Sequence, residues 1–241
     1  MFFQKDNLSK FDFISVKEFL LILFILFVTI LLCFSGIPFS LKKVLPQYLT
    51  FINSHYVETF LYLICLTLTF YTIYYFSCKR KKKTLQEGLF LYPKSKKNIL
   101  ICILIGIIVP LSTSPILIKL APPQFYAMDL LKEEGGLFFI IVAGLTAPIL
   151  EEVFYRGFIF PFFQSKLNSF WAVIITSLFF GFSHYANIGN AHILLSLFIF
   201  YGFVLTLVRY FTNSLIPAIV THFTHNLTLM CGALIMHLLH K

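Results

Sequence analysis

Two adjacent carboxylates and a guanidinium, Glu151, Glu152 and Arg156, interrupt an otherwise apolar stretch of this 241-residue chain. A carboxylate held in mid-bilayer costs on the order of 2.5–3.5 kcal/mol on insertion scales, so a chain that keeps two side by side is expected to use them. Residues four apart share a helical face, which pairs Glu152 with Arg156. Glu151 points about 100° away from Glu152 and needs another partner or a proton. A purely structural ion pair therefore accounts for Glu152 and Arg156 and leaves Glu151 over. Two more polar sites in apolar runs can meet it: His184, and His222 with Asn226, which again share one face. A carboxylate and an imidazole facing one water can take its proton and make it nucleophilic. A second imidazole and an amide can steady the oxyanion that forms on an attacked carbonyl. These are the parts of a peptide hydrolase. Glu151, His184 and His222 would also suffice as zinc ligands with an open water position. The sequence lacks a His-Glu-x-x-His pair, however, and its two deep histidines fall on separate spans, so no cofactor is the favoured expectation and zinc the alternative.

The elements that must carry these groups are membrane helices. The chain is 59% hydrophobic and 12% charged with mean hydropathy +0.87, whereas a soluble domain carries about 25% charge. Apolar runs predict an all-α, polytopic transmembrane bundle of about seven spans, near 18–38, 57–77, 98–120, 137–163, 170–187, 191–209 and 215–238. The break between the fifth and sixth spans is short, little more than Asn187 to Asn190. The first span reads as uncleaved, since no small-x-small site follows its apolar run. Pro110 and Pro115 are expected to interrupt the third span. Pro148, just before Glu151, is expected to loosen the fourth. Of the remaining charges after residue 134, Lys166, Arg209 and Lys241 are assigned to turns or to the end.

Net charge is +9, concentrated in residues 79–97, where eight Lys/Arg face Glu87 alone. In this context the run reads as a cytoplasmic loop obeying the positive-inside rule rather than a nucleic-acid surface. That reading puts the N-terminus inside, in accord with Lys5, Lys10 and Lys17, and seven spans then put the C-terminus outside. The five cysteines are scattered, form no C-x-x-C pair, and read as packing residues. Residues 1–97 hold two spans and the basic loop with no deep ionisable group, an accessory region. Residues 98–241 hold five spans and every deep polar group, the functional core. Antiparallel spans four and five, joined near Lys166 to Ser169, place Glu151 and His184 at matching height, each roughly 25 Å from that turn.

The ordered set of Glu151, Glu152 and Arg156, then Phe180 and His184, then His222 and Asn226 resembles the CPBP family. That family comprises type II CAAX prenyl endopeptidases and bacterial relatives linked to bacteriocin processing and self-immunity. Ala147, Pro148 and Ile149 before the acidic pair, Gly157 after Arg156, and Ser214 to Ala218 ahead of His222 extend the likeness across residues 137–228. The resemblance implies an intramembrane endopeptidase acting on a membrane-associated or lipid-modified peptide. Glu151 and His184 would activate water, His222 and Asn226 would form the oxyanion site, and Glu152 and Arg156 would support them. The family has been described both as metalloproteases and as metal-independent glutamate proteases; the latter suits these residues. His225, an extra histidine beside Asn226, is assigned a structural or pore-lining role. The alternative is a non-catalytic immunity or transport-like membrane protein that binds through the same groups, although no inverted repeat supports a transporter. The expected partners are the lipid bilayer and a membrane peptide or protein, and the expected location is a microbial plasma membrane.

Overall fold

The computed structural model describes residues 14–52, 54–120, 133, 135–185 and 192–239. Among these the chain is helical and contains no strand. Long apolar runs with no water to satisfy their backbone leave helices as the available solution. The long helices are α1 (Val16–Val44), α2 (His55–Lys79), α3 (Lys96–Leu120), α4 (Gly136–Lys166), α5 (Ser169–Ser183), α6 (His192–Thr212) and α7 (Leu215–Leu239). Each overlaps one of the seven expected spans, although fewer than seven meet the requirements of a membrane crossing. Five helical segments are long and apolar enough to cross a membrane: α1, α2, Lys96–Ile116 of α3, α4 and α6. Helix α5 is apolar but shorter, and α7 dilutes its apolar residues with His222, His225 and Asn226. The break assigned to Asn187–Asn190 lies outside the described residues, as do Lys5, Lys10 and Lys241.

Helix ends are set by local chemistry. Ser15 and Glu18 form a capping box at the start of α1, which satisfies amides that have no intrahelical partner. Asn168 caps α5 by accepting from the Trp171 amide at 3.1 Å. The basic loop carries a second box, Thr84 with Glu87, around the short helix Leu85–Gly88.

Three sequence expectations change here. Helix α3 runs on through Pro110 and Pro115. Pro115 cannot donate to the Leu111 carbonyl, and the Ser114 hydroxyl donates to that carbonyl instead at 3.0 Å, a repair available to Ser in apolar surroundings. Pro148 likewise sits inside continuous helix. The widened turn of α4 lies further on, a π-helical segment at Tyr155–Ile159, just ahead of Pro161, whose missing N–H and bulky ring disturb the preceding turn. Arg209 is not in a turn. It lies within α6, 2% exposed, because its guanidinium rests 4.5 Å over the Phe90 ring and donates to Asn213 Oδ1 at 3.3 Å.

Helix α7 is the centre of the core, packed against α3, α4 and α6, while α5 packs on α6 and on the end of α4. Close approach depends on small residues, as expected where hydrocarbon gives helices no hydrophobic reason to associate. At Gly106 of α3, an added Cβ would stand 2.6 Å from the Thr221 carbonyl oxygen of α7. At Gly202 of α6 it would stand 3.1 Å from the Ser177 carbonyl oxygen of α5. These contacts draw α3 close to α7 and α5 close to α6.

Candidate active site

The innermost part of the site is an ion pair with no water access. Glu152 and Arg156, on α4 and the π-helical turn that continues it, are each 0% exposed. Arg156 Nη1 donates to Glu152 Oε1 at 2.8 Å, as the spacing predicted. The other arms of the guanidinium go to α6: Nη2 donates to the Gly202 carbonyl at 2.8 Å and Nε to Thr206 Oγ1 at 3.2 Å. Thr206 in turn donates to the Gly202 carbonyl at 2.7 Å. The guanidinium plane also lies 4.6 Å above the Phe180 ring of α5, a cation–π contact strengthened by burial. One arginine thus ties α4, α5 and α6 together, the planar, several-donor task for which Lys is no substitute.

His222 enters from α7. Its Nδ1 lies 2.9 Å from Glu152 Oε1, so the carboxylate accepts from both the imidazole and Arg156. That contact assigns the Nδ1 proton and turns Nε2 outward. Nε2 lies 4.0 Å from Glu151 Oε2. The two glutamates are thus sharply unlike. Glu152 is sealed, whereas the Glu151 side chain is 28% exposed; the Oε2 of each is buried without a hydrogen-bond partner. A separation of 4.0 Å between polar atoms is too long for a hydrogen bond and suits a bridging water.

His184 closes the C-terminal end of α5. Its Nδ1 lies 2.8 Å from the Phe180 carbonyl, and its ring stacks on Phe198 with centroids 4.4 Å apart. The Phe180 ring stands between the two histidines, 4.8 Å from His184 and 5.8 Å from His222. Asn226 is half-buried one turn beyond His222. The His225 ring stacks on Tyr201 at 3.7 Å, and Tyr201 also meets His222 edge-on at 5.5 Å.

Glu151, Glu152, Arg156 and His222 are therefore gathered directly, and His184 reaches the group through Phe180. The residues that sequence reasoning passed over are Gly202, Thr206 and Tyr201 on α6. Their signal was present but weak: a Gly and a Thr four apart in an apolar run make one small, polar face. Among the described residues, no three His, Cys, Asp or Glu side chains stand together as a set able to hold a metal ion.

No curated protein and no solved structure matches the chain. The family model described as type II CAAX prenyl endopeptidase Rce1-like matches residues 133–228. The segment that carries Glu151, Glu152, Arg156, His184, His222 and Asn226 is thus similar to the type II CAAX prenyl endopeptidase Rce1-like family.

Proposed function

We propose that the chain is an intramembrane endopeptidase in which Glu151 is the general base. The observation that carries the reading is Glu151, the one glutamate of the pair with solvent access, whose Oε2 has no hydrogen-bond partner and faces His222 Nε2 across 4.0 Å. A water held there donates one hydrogen to Glu151. Its oxygen attacks the peptide carbonyl while His184, beyond Phe180, helps orient it. As the tetrahedral centre forms, Glu151 holds the proton and later gives it to the leaving amine. His222, which in this scheme carries a proton on both ring nitrogens, and the Asn226 side-chain amide donate to the oxyanion. Glu152 and Arg156 touch no substrate in this scheme; they fix His222 by its Nδ1 and so aim Nε2. The substrate proposed is a membrane-associated peptide, with a lipid-modified one the first to try.

The scheme proposed uses carboxylate and imidazole alone, a preference supported by the lack of a His-Glu-x-x-His pair; zinc on Glu151, His184 and His222 is the competing account. Purified active protein is expected to contain far less than one zinc per chain and to keep its activity in chelator. Stoichiometric zinc lost together with activity would replace this scheme.

The direct test uses purified protein in lipid nanodiscs with an internally quenched farnesylated peptide, alongside a comparison of membrane peptides from cells carrying wild-type or Glu151→Gln protein. Glu151→Gln is expected to cut turnover by roughly 10²–10⁴-fold, the worth of a positioned acid–base group, with unchanged unfolding temperature. Undiminished cleavage by the variant would sink the mechanism. Absence of cleavage by wild type in both assays would leave the non-catalytic binding alternative in its place.

A further inference from the structure

A second site lies on the opposite side of α6 from Arg156. Between α3 and α6 runs a cleft of about 490 Å³ lined by Asn98, Ile101, Cys102, Phe200, Val204 and Thr212, among others. Two of its lining residues, Cys102 and Val208, pack against Ala218 of α7. Its rims face outward: Ile101 is 45% and Phe200 48% exposed. The polar residues are confined to one end. Asn98 opens α3 and Thr212 ends α6, so both stand at the end of the bundle that bears the basic loop. Lys97 precedes Ile101 by four residues on the same helical stripe, and Lys94 approaches the same end ahead of α3. No carboxylate lines the cleft.

We propose that this cleft holds one acyl chain of an anionic phospholipid, with the headgroup phosphate at Asn98, Thr212, Lys94 and Lys97. Length supports this occupant. From Thr212 to Phe200 is twelve residues of helix, roughly 18 Å, and one leaflet of hydrocarbon is about 15 Å deep. A chain anchored at the basic end therefore fills the cleft and stops near mid-bilayer. Charge supports it too. A membrane protein places Lys-rich loops at the cytoplasmic leaflet, where anionic lipid is concentrated, and each Lys near the surface adds attraction. The lipid would press against the outer face of α6, whose inner face supplies Gly202 and Thr206 to Arg156. It would then act as a brace for the site rather than as substrate.

The test is native mass spectrometry of the full chain in mild detergent with dioleoylphosphatidylglycerol, dioleoylphosphatidylcholine or a farnesylated peptide. Phosphatidylglycerol is expected to stay bound one to one and to outlast phosphatidylcholine. Lys94→Gln and Lys97→Gln should each weaken it by roughly fivefold. Val204→Trp, which fills the cleft from its lipid-facing side, should abolish binding while wild-type helicity is kept. Equal retention of the two phospholipids, or undiminished phosphatidylglycerol binding by Val204→Trp, overturns the proposal. So does preferential occupancy by the farnesylated peptide, which would assign the cleft to substrate. None of these readings depends on peptide cleavage.

Discussion

Glu152 Oε1 accepts two hydrogen bonds, one from Arg156 and one from His222, and the guanidinium spends its remaining donors on α6. Removing Arg156 would leave a sealed carboxylate facing only an imidazole. Breaking a buried pair from one side costs about 3–5 kcal/mol, so Arg156→Met should lower the unfolding temperature sharply in a detergent melt. Arg156→Lys should recover only part of the loss, because one ammonium cannot reach Glu152, Gly202 and Thr206 together. A near-wild-type melt for Arg156→Met would mean that the pair is solvated after all. The Glu152–Arg156 contact was legible in the sequence because it is local: four residues on one helix. The His222–Glu152 contact was not, since it depends on how α7 is rotated and set in height against α4, and no spacing within either helix fixes that. The same limit applies to the approach of His222 Nε2 to Glu151 Oε2 at 4.0 Å, which no spacing within either helix foretells.

At the level of the helices, apolar length pointed to the region of each long helix among the described residues, although five rather than seven are long and apolar enough to span and α1 runs on to Val44. What the sequence could not foretell was where they bend. Proline was read as an interruption at three positions, yet Ser114 repairs one break locally, and the widened turn of α4 falls at Tyr155–Ile159 instead. Proline removes a donor, but whether the helix yields depends on nearby hydroxyls and neighbours that pattern does not reveal. The α3–α7 crossing is a case where the element, rather than any one side chain, holds the site. A methyl group on Gly106 would meet the Thr221 carbonyl and stand 3.2 Å from the His225 amide, both backbone atoms flanking His222. Gly106→Ala must therefore push α7 away. It should destabilise by about 1–3 kcal/mol as overpacking does and also reduce kcat, because His222 moves with α7. If the variant melts lower yet keeps full turnover, α7 tolerates displacement and the site is less finely set than drawn here.

Across the whole molecule, the two N-terminal helices are packed into the same apolar core as the polar helices. The Phe19 ring of α1 stacks on Phe162 of α4 with centroids 3.7 Å apart and on Phe158 at 5.2 Å, and these residues share one cluster with Ile73, Phe180 and Tyr201. The basic loop adds a second tie. Ser214 Oγ donates to the Tyr92 carbonyl at 2.6 Å, and the Leu215 amide donates to the Phe90 carbonyl at 2.9 Å, so the segment after Gly88 straps the α6–α7 turn. Glu18 joins the start of α1 to Arg80 at 2.9 Å. The sequence divided the chain at residue 97 because deep polar groups begin after it, a division by chemistry that carries no information on packing. Phe19→Ala tests the packing directly. It removes a ring that stacks on two others, and a buried Phe→Ala change costs about 3–5 kcal/mol. For a chain of this size each kcal/mol lowers the unfolding temperature by about 2–4 °C. The loss should appear as one cooperative shift of the whole melt, read from both the N-terminal helices and Trp171 of α5, with kcat per folded molecule little changed. A separate early transition confined to α1 and α2 would show that the hairpin unfolds on its own and that the stacking seen here does not couple it to the site.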